Sequence, residues 1–340
     1  MAIADTPEKV ILDTDSGPFN DDGVALVMLL QSPSKVSLQG ITVVPGNVWP
    51  AQGAEYMLAH TVMMHRTGLP VFIGAAAPLL HTAAIAAAAA KKFGKQNYLG
   101  AFAEQPALTR ADLKKPFYGF SGLEPRKQNA VDFIIDTIER NPGEITILAI
   151  GPMTNLAIAL RLRPGIETKI KRLVFMGGAA HVDGNTTATA EFNFWFDPEA
   201  ARIVLRSKIP VKIMFGLDIC NHTLLRKSLF DQIVATKTPV TKLYEEDFGR
   251  SAFPGFLTNP AATAHLWDEL AAGYLIDPSF VTKSEQVYLD VDTSFSADYG
   301  RVVPLDRGLA PEATPVKVML ELKVERAYEL YKELLMRPVK

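Results

Sequence analysis

The sequence has only one cysteine, Cys220, among its 340 residues. A single thiol excludes an internal disulfide and a cysteine-rich zinc site. No apolar run reaches the roughly 18 residues of a membrane span, since the alanine-rich stretch 83–90 ends at two lysines. Charge of one sign is also lacking, because 35 lysines and arginines oppose 37 acids, giving a net charge of −2. We therefore expect a small-molecule partner, with no nucleic acid and no membrane.

The N-terminal residues bear on the compartment. Residues 1–5 have neither the basic segment nor the apolar segment of a signal peptide. This start predicts a cytoplasmic protein, and a periplasmic location would require a leader that is missing from this sequence.

Short apolar runs recur along the chain, and a helical pattern follows each of them. The runs cover 10–15, 38–44, 70–74, 145–151, 172–178 and 211–218. This alternation predicts a doubly wound α/β fold with a mostly parallel central sheet and flanking helices. Extra strands are expected at 288–293 and 316–322, before a helix over 324–337. No linker or repeat is evident, so we predict one domain over 1–340.

Two segments interrupt this alternation. Residues 91–128 are polar, aromatic and rich in glycine and proline, which predicts a long excursion over the sheet. Residues 244–259 contain two glycines, one proline and three phenylalanines, a composition that suits a mobile lid.

Four carboxylates, Asp13, Asp15, Asp21 and Asp22, occur within ten residues at the end of a predicted strand and the start of a helix. Capping the helix needs only one or two acids, and four repel one another unless a cation lies among them. Oxygen ligands with no nearby Cys or His favour Ca²⁺ or Mg²⁺ over zinc. The spacing does not fit an EF-hand loop, and Gly17 does not fit a DxDx(T/V) phosphatase.

Six motifs occur in order between Asp13 and Pro278. They are DTDSGPFNDDGVALVMLL, GITVVPGN, LAIGPMTNLA, LVFMGGA, GNTTATAEFNFWFDPEAA and LWDELAAGYLIDP. With these motifs the chain resembles the inosine-uridine-preferring nucleoside hydrolase family. The resemblance implies hydrolysis of the N-glycosidic bond of ribonucleosides to free base and ribose, with a tightly held Ca²⁺, by a homodimer or homotetramer.

The resemblance also assigns roles to individual residues. It implies that Asp15 holds and deprotonates the attacking water. The implied metal ligands are Asp15, Asp22, the backbone carbonyl of Ile150, and Asp268. The implied sugar contacts are Asp21, Asn47, Met176, Asn185, Glu191 and Asn193. The loop before Asp21 is two residues longer than is usual in the family, so Phe19 and Asn20 either bulge out or shift Asp21, with Asn20 sharing its contact.

This assignment agrees with the chemistry of the reaction. Cleavage of a ribosyl C1′–N bond passes through an oxocarbenium-like state, which requires negative charge near the sugar and an activated water. Carboxylates around Ca²⁺ supply both, and the flexible calcium shell can also accept ribose hydroxyls.

The leaving base needs help as well. Many relatives have His immediately before the late Asp as a general acid, whereas here Trp267 precedes Asp268. A tryptophan cannot donate a catalytic proton, but its face can stack on a purine and favour the protonated, departing base. This feature resembles the purine-specific inosine-adenosine-guanosine branch; the alternative is a tryptophan that only packs in the core. Candidates for a second stacking wall are Phe93, Tyr98, Phe102, Phe253 and Phe256, and His265 is assigned no role.

The sequence thus predicts a Ca²⁺-dependent purine nucleoside hydrolase. Hydrolysis of pyrimidine or modified nucleosides is the alternative within the enzyme class. A nucleoside-binding protein without turnover is the alternative outside it.

Overall fold

The computed structural model describes residues 6–306 and 313–339. The strands in these residues are β1 Glu8–Thr14, β2 Val36–Val43, β3 Val71–Ile73, β4 Ile145–Ala149, β5 Arg172–Met176, β6 Lys212–Phe215, β7 Leu225–Arg226, β8 Thr263–Ala264, β9 Val281–Val291, β10 Val302–Leu305 and β11 Val316–Leu322. Nine of these described strands form one sheet in the order β10-β9-β11-β6-β5-β4-β1-β2-β3. Within this sheet only β9 runs in the opposite direction to the other strands, because it pairs antiparallel with both β10 and β11. The mostly parallel α/β sheet with extra C-terminal strands is therefore confirmed.

Helices connect the strands and flank the sheet. The α-helices of the described residues are α1 Asp21–Leu30, α2 Pro50–Met63, α3 Ala83–Phe93, α4 Ala130–Arg140, α5 Thr154–Leu162, α6 Phe192–Phe196, α7 Pro198–Leu205, α8 Leu217–Cys220, α9 Lys227–Val234, α10 Pro239–Leu243, α11 Gly255–Thr258, α12 Asp268–Ile276 and α13 Val324–Met336. A π-helical segment covers Tyr244–Ala252, and short 3-10 turns cover Gly100–Ala103, Arg110–Asp112, Ile166–Lys169 and Pro278–Phe280. Within the described ranges, no helix is long and apolar enough to cross a membrane.

Both faces of the central sheet are buried. Val10 and Leu12 of β1 pack into a core that includes α1, α12 and α13, whereas Ile11 packs into a second core with α4, α5 and α7. Successive side chains of a strand point to opposite faces, so a strand covered on both sides reads as a continuous apolar run. This burial explains why the strands were detectable as such runs.

The strand order reverses at β1. The chain passes from β1 to β2 and β3 on one side and then returns to β4 on the other side of β1. In open parallel sheets a crevice forms at such a switch point, beyond the carboxyl ends of the two strands. Asp15 directly follows β1 and Ile150 directly follows β4, so the fold places both at this crevice.

The segment 244–259 is folded. It contains the π-helical stretch and α11, and the rings of Tyr244, Phe248 and Phe256 are buried. Phe248 lies 4.7 Å from Tyr244 and 5.3 Å from Phe256 between ring centroids. The phenylalanines thus build an aromatic wall beside the crevice, and the mobility of this segment stays a prediction.

Candidate active site

Acids from opposite ends of the chain meet at the crevice. Asp21 and Asp22 are the first residues of α1, and Asp268 is the first residue of α12. Both helices pack in the same core, so their N-termini converge. One carboxylate oxygen from each of these three aspartates lies within 4.8 Å of the other two. The structure therefore brings Asp268 to the opening acids, and its role as a metal ligand stays a prediction.

The Asp15 carboxylate occupies a slot between two glycines. Its Oδ2 accepts a hydrogen bond of 2.6 Å from the backbone N–H of Asn47, whereas its buried Oδ1 has no hydrogen-bond partner within the described residues. A Cβ at Gly46 would lie 2.0 Å from Asp15 Oδ2, and a Cβ at Gly151 would lie 2.8 Å from Oδ1. Both glycines belong to motifs quoted above, but their steric role was not detected in the sequence.

Asp22 is fully buried and does not line the cavity, and both of its carboxylate oxygens accept hydrogen bonds. Oδ1 accepts from the Thr14 hydroxyl, and Oδ2 accepts from Asn47 Nδ2 at 3.1 Å. Asn47 therefore braces Asp15 through its backbone and Asp22 through its side chain. Its remaining oxygen, Oδ1, accepts from the Tyr98 hydroxyl at 3.1 Å. The residue predicted to contact the sugar is thus also the clamp that joins the two acids.

The acids are buried without a compensating positive side chain. Burial, followed by repulsion from Asp21, raises the pKa of Asp22 to about 8 and raises that of Asp268 well above its usual range. Burial, followed by repulsion from Asp22, likewise raises the pKa of Asp15. No lysine or arginine is among the described residues that line the cavity. A divalent cation bound by oxygen would relieve this repulsion and partner Asp15 Oδ1.

The predicted metal ligands fit such an ion. Asp22 and Asp268 belong to the cluster whose carboxylate oxygens lie within 4.8 Å of one another, and the third member of that cluster is Asp21, which was predicted as a sugar contact. Asp15 is close enough to be repelled by Asp22, and the Ile150 carbonyl lies at the switch point next to Asp15. That carbonyl accepts from Asn193 Nδ2 at 3.1 Å, which occupies only one of its two lone pairs. The donor set contains only oxygen, which is the chemistry of Ca²⁺ or Mg²⁺.

A cavity of about 600 Å³ opens above these acids. All six residues predicted to contact the sugar line it, namely Asp21, Asn47, Met176, Asn185, Glu191 and Asn193. Asp15, Ile150, Trp267 and Asp268 line it as well. The structure therefore brings residues from six separate motifs to one cavity.

Two of the predicted sugar residues also hold the cavity wall together. Glu191 caps α6, since its carboxylate accepts from the backbone N–H of Asn193 at 2.9 Å and of Gly178 at 2.8 Å. Asn193 donates to the carbonyls of Ile150 and Met176, which follow β4 and end β5. Burial raises the pKa of Glu191. Substitutions at these two positions would therefore change the shape of the site as well as its contacts.

Trp267 lines the same cavity as Asn47. Its half-buried ring lies 6.4 Å from Phe253 and 6.3 Å from His265 between centroids. The ring both lines the cavity and packs against the hydrophobic core, so its stacking role stays a prediction. Glu269, which sequence analysis missed, lines the same wall and accepts from the Trp267 backbone N–H at 2.9 Å. Its place directly after Asp268 was the available signal.

Of the five residues predicted as candidates for a second stacking wall, two line the cavity and three do not. Tyr98 and Phe253 line the cavity, together with two aromatic residues that were not predicted, Phe192 and Phe248. The other three candidates lie elsewhere: Phe93 packs on Phe295, Phe102 stacks on Phe196, and Phe256 is buried in the aromatic wall.

The longer loop before Asp21 is accommodated by burial. Phe19 is fully buried and packs edge-on against His60 and Tyr244, with centroid distances of 5.1 and 6.4 Å. Its backbone N–H donates to Asp247 Oδ2 at 2.9 Å, which ties the loop to the π-helical segment. Asp21 and Asn20 both remain on the cavity, so the insertion places a second polar side chain beside the predicted sugar contact.

Known proteins share this fold and chain length. A family model described as inosine-uridine preferring nucleoside hydrolase matches residues 10–329. The chain is 30% identical over 328 residues to the pyrimidine-specific ribonucleoside hydrolase RihB of Escherichia coli (strain SE11), covering 96% of both chains. Among solved structures, it is similar to the plant nucleoside hydrolase PpNRh1, with 26% identity and a TM-score of 0.81 over 98% of this chain and 100% of that one.

A second solved structure is similar over nearly the whole chain. It is a purine-preferring ribonucleoside hydrolase from Gardnerella vaginalis, with 29% identity and a TM-score of 0.76 over 97% of this chain and 98% of that one. The named relatives therefore include both pyrimidine-specific and purine-preferring enzymes. From the family match and the acidic cavity at the switch point, we conclude that this chain belongs to the inosine-uridine preferring nucleoside hydrolase family.

Proposed function

We propose that this protein is a Ca²⁺-dependent hydrolase of purine ribonucleosides that releases the free base and ribose. The observation that carries the proposal is that the carboxylates of Asp21, Asp22 and Asp268 converge beside Asp15, at a cavity that Trp267 also lines. Carboxylates suit the sugar end of a nucleoside, and an indole suits its base.

Asp15 is the proposed general base. Its Oδ2 is fixed by Asn47, and both lone pairs of its Oδ1 lack a partner among the described residues, so one can contact the ion and the other can take a proton from a water. Asp15, Asp22, Asp268 and the Ile150 carbonyl would hold Ca²⁺, which when bound lowers the pKa of a coordinated water and attracts hydroxyl groups of the ribose. A protein that only binds nucleosides has no need of such a base, so this arrangement favours hydrolysis.

The remaining acids act through charge and hydrogen bonding. As the C1′–N bond breaks, positive charge develops on the ribose, and negative carboxylates near the sugar stabilise that state more than the ground state. Asp21 and Asn20 line the cavity next to the metal-binding acids, where they can accept hydrogen bonds from ribose hydroxyls. We expect 2′-deoxynucleosides to be poor substrates, because the partners of the missing hydroxyl would remain unpaired.

Trp267 carries the proposed purine preference. A purine offers two fused rings that can stack on the indole of Trp267. The rings of Phe253 and Tyr98 line the same cavity. Stacking of an electron-rich ring favours the base as it becomes protonated. Hydrolysis of pyrimidine ribonucleosides is the second candidate, and the similarity to the pyrimidine-specific enzyme RihB supports it.

A substrate panel tests the proposal. Inosine, guanosine, adenosine, uridine, cytidine and 2′-deoxyinosine are incubated with the protein and CaCl₂, and released reducing sugar is measured. We expect the three purine ribonucleosides to have the highest kcat/KM. Faster turnover of uridine or cytidine would replace the purine assignment with the pyrimidine one, and tight binding of inosine without ribose release would indicate a binding protein. The homodimer or homotetramer and the cytoplasmic location stay predictions.

A further inference from the structure

His265 lines the cavity and is held there by a hydrogen bond to Thr223. It follows β8, which pairs with β7, and it precedes Trp267 by two residues. Its Nδ1 hydrogen-bonds to the backbone carbonyl of Thr223, and the next residue, Leu266, donates its N–H to the Thr223 hydroxyl at 2.8 Å. Thr223 is fully buried, and its hydroxyl in turn donates to the Cys220 carbonyl at 2.7 Å. An ordinary surface histidine has no such fixed support.

This support fixes the tautomer of the ring. A carbonyl oxygen can only accept, so Nδ1 must bear the hydrogen, and Nε2 is the nitrogen that gains or loses a proton. Nε2 makes no hydrogen bond to any described residue, and the half-buried ring lines the same cavity as Trp267 at a centroid distance of 6.3 Å. Nε2 is therefore available to a bound base.

We propose that His265 is the proton donor to the departing base and works beside Trp267. This role rests on the proposed function and extends it. The imidazolium donates its Nε2 proton to a ring nitrogen or carbonyl oxygen of the base, while the electron pair of the C1′–N bond stays with the base. The water oxygen bonds to C1′ and passes its proton to Asp15. After the products leave, Asp15 releases this proton to solvent and His265 takes one up from solvent, which restores both groups.

The presence of Trp267 and His265 on one cavity predicts which bases the enzyme accepts. Stacking on Trp267 favours bases with a large ring surface, whereas proton donation helps any base that has an acceptor atom. A cavity with both devices is expected to hydrolyse purine and pyrimidine ribonucleosides, with purines ahead because they use both. Glu269 and Asp268 follow Trp267 in the chain and also line the cavity, and their carboxyls are the other titratable groups beside this turn.

Leaving-group dependence tests this role. His265→Ala and His265→Asn are compared with wild type on inosine, uridine and p-nitrophenyl riboside, whose leaving group needs no proton. In the Asn variant the amide N–H can still bond to the Thr223 carbonyl, but there is no proton to transfer, so this variant separates chemistry from folding. His222→Ala, at an exposed histidine just after α8, is the matched control.

We expect both His265 variants to lose about 10²- to 10³-fold in kcat on inosine and uridine, the range typical of general acid catalysis, with p-nitrophenyl riboside changed less than about threefold. The His222 control should match wild type on all three. Equal losses on nucleosides and p-nitrophenyl riboside, or no loss on any, would overturn the role of His265 alone. A wild-type protein that releases ribose from none of the three would overturn the proposed function and this role with it.

Discussion

The slot that holds Asp15 provides a sharp test of its proposed role, through the substitution Gly46→Ala. The new Cβ would lie 2.0 Å from Asp15 Oδ2, 2.6 Å from Cγ and 2.7 Å from Cβ. Gly46 does not have a positive φ, so alanine can adopt its backbone conformation, and the clash is the whole perturbation. To restore a contact of at least about 3 Å, the carboxylate must move by about 1 Å.

A displacement of this size acts mainly on the chemical step. Misplacing a catalytic group by 1 Å can cost about 10²-fold in rate, equivalent to about 2.7 kcal/mol of transition-state stabilisation. We therefore expect Gly46→Ala to lower kcat for inosine about 10²-fold. Overpacking a buried site typically costs about 1–3 kcal/mol of folding free energy, so the variant should still fold.

Ribose release gives kcat and KM, and circular dichroism gives the melting temperature. Gly68→Ala is the matched control, because a Cβ there meets no described atom within 4 Å and the φ of Gly68 is not positive either. The control should keep wild-type kcat. If Gly46→Ala keeps more than a third of wild-type kcat, then the position of the Asp15 carboxylate does not limit the reaction, and the general-base assignment is wrong.

Four further results are expected. Asp15→Ala should lower kcat by about 10³-fold while KM changes little, and near-normal turnover would exclude water activation by this residue. Trp267→Ala should slow inosine more than p-nitrophenyl riboside, whereas equal losses would indicate structural damage. Asp247→Ala removes the acceptor of the Phe19 N–H, and we expect it to raise KM more than it lowers kcat. Asp247→Asn keeps a side-chain oxygen that can accept this hydrogen bond, so it should restore the wild-type KM. Because the pKa of Asp22 rises from 3.8 to about 8, its neutral form stabilises the metal-free fold below pH 4, and that stability is lost as pH rises towards 8. The melting temperature of chelator-treated protein should therefore fall as pH rises from about 4 to about 8. If added CaCl₂ leaves this pH dependence of the melting temperature unchanged, Asp22 does not bind the metal.

The sheet could be predicted from sequence because its strands are buried on both faces. Each predicted run overlaps an observed strand, but most runs extend one or two residues too far. The run 10–15 ends in Asp15, which lies beyond β1, and the run 145–151 includes Ile150 and Gly151, which lie beyond β4. These residues are not paired with a neighbouring strand because they form the crevice. Hydrophobic periodicity does not indicate where strand pairing ends, so it could not predict these boundaries.

The acids of the site were predictable because their clustering is unfavourable without a ligand. Contacts between distant segments were not predictable from local pattern, and the meeting of Asp268 with the opening acids was expected only from the family resemblance. The burial of Phe19 depends on His60 and Tyr244, and the pinning of His265 depends on Thr223, which lies 42 residues earlier in the chain. Such contacts follow from how the helices pack, so neither the accommodation of the longer loop nor the fixed tautomer could be read from local spacing.

A calorimetric titration of chelator-treated protein with CaCl₂ most directly tests the central claim that acids from both ends of the chain bind one ion. We expect wild type to bind one Ca²⁺ per chain, and Asp268→Asn to weaken the affinity at least about 10²-fold, because it removes one of three converging carboxylates. Wild type that binds no Ca²⁺, or an Asp268→Asn variant that binds it as tightly as wild type, would contradict the account.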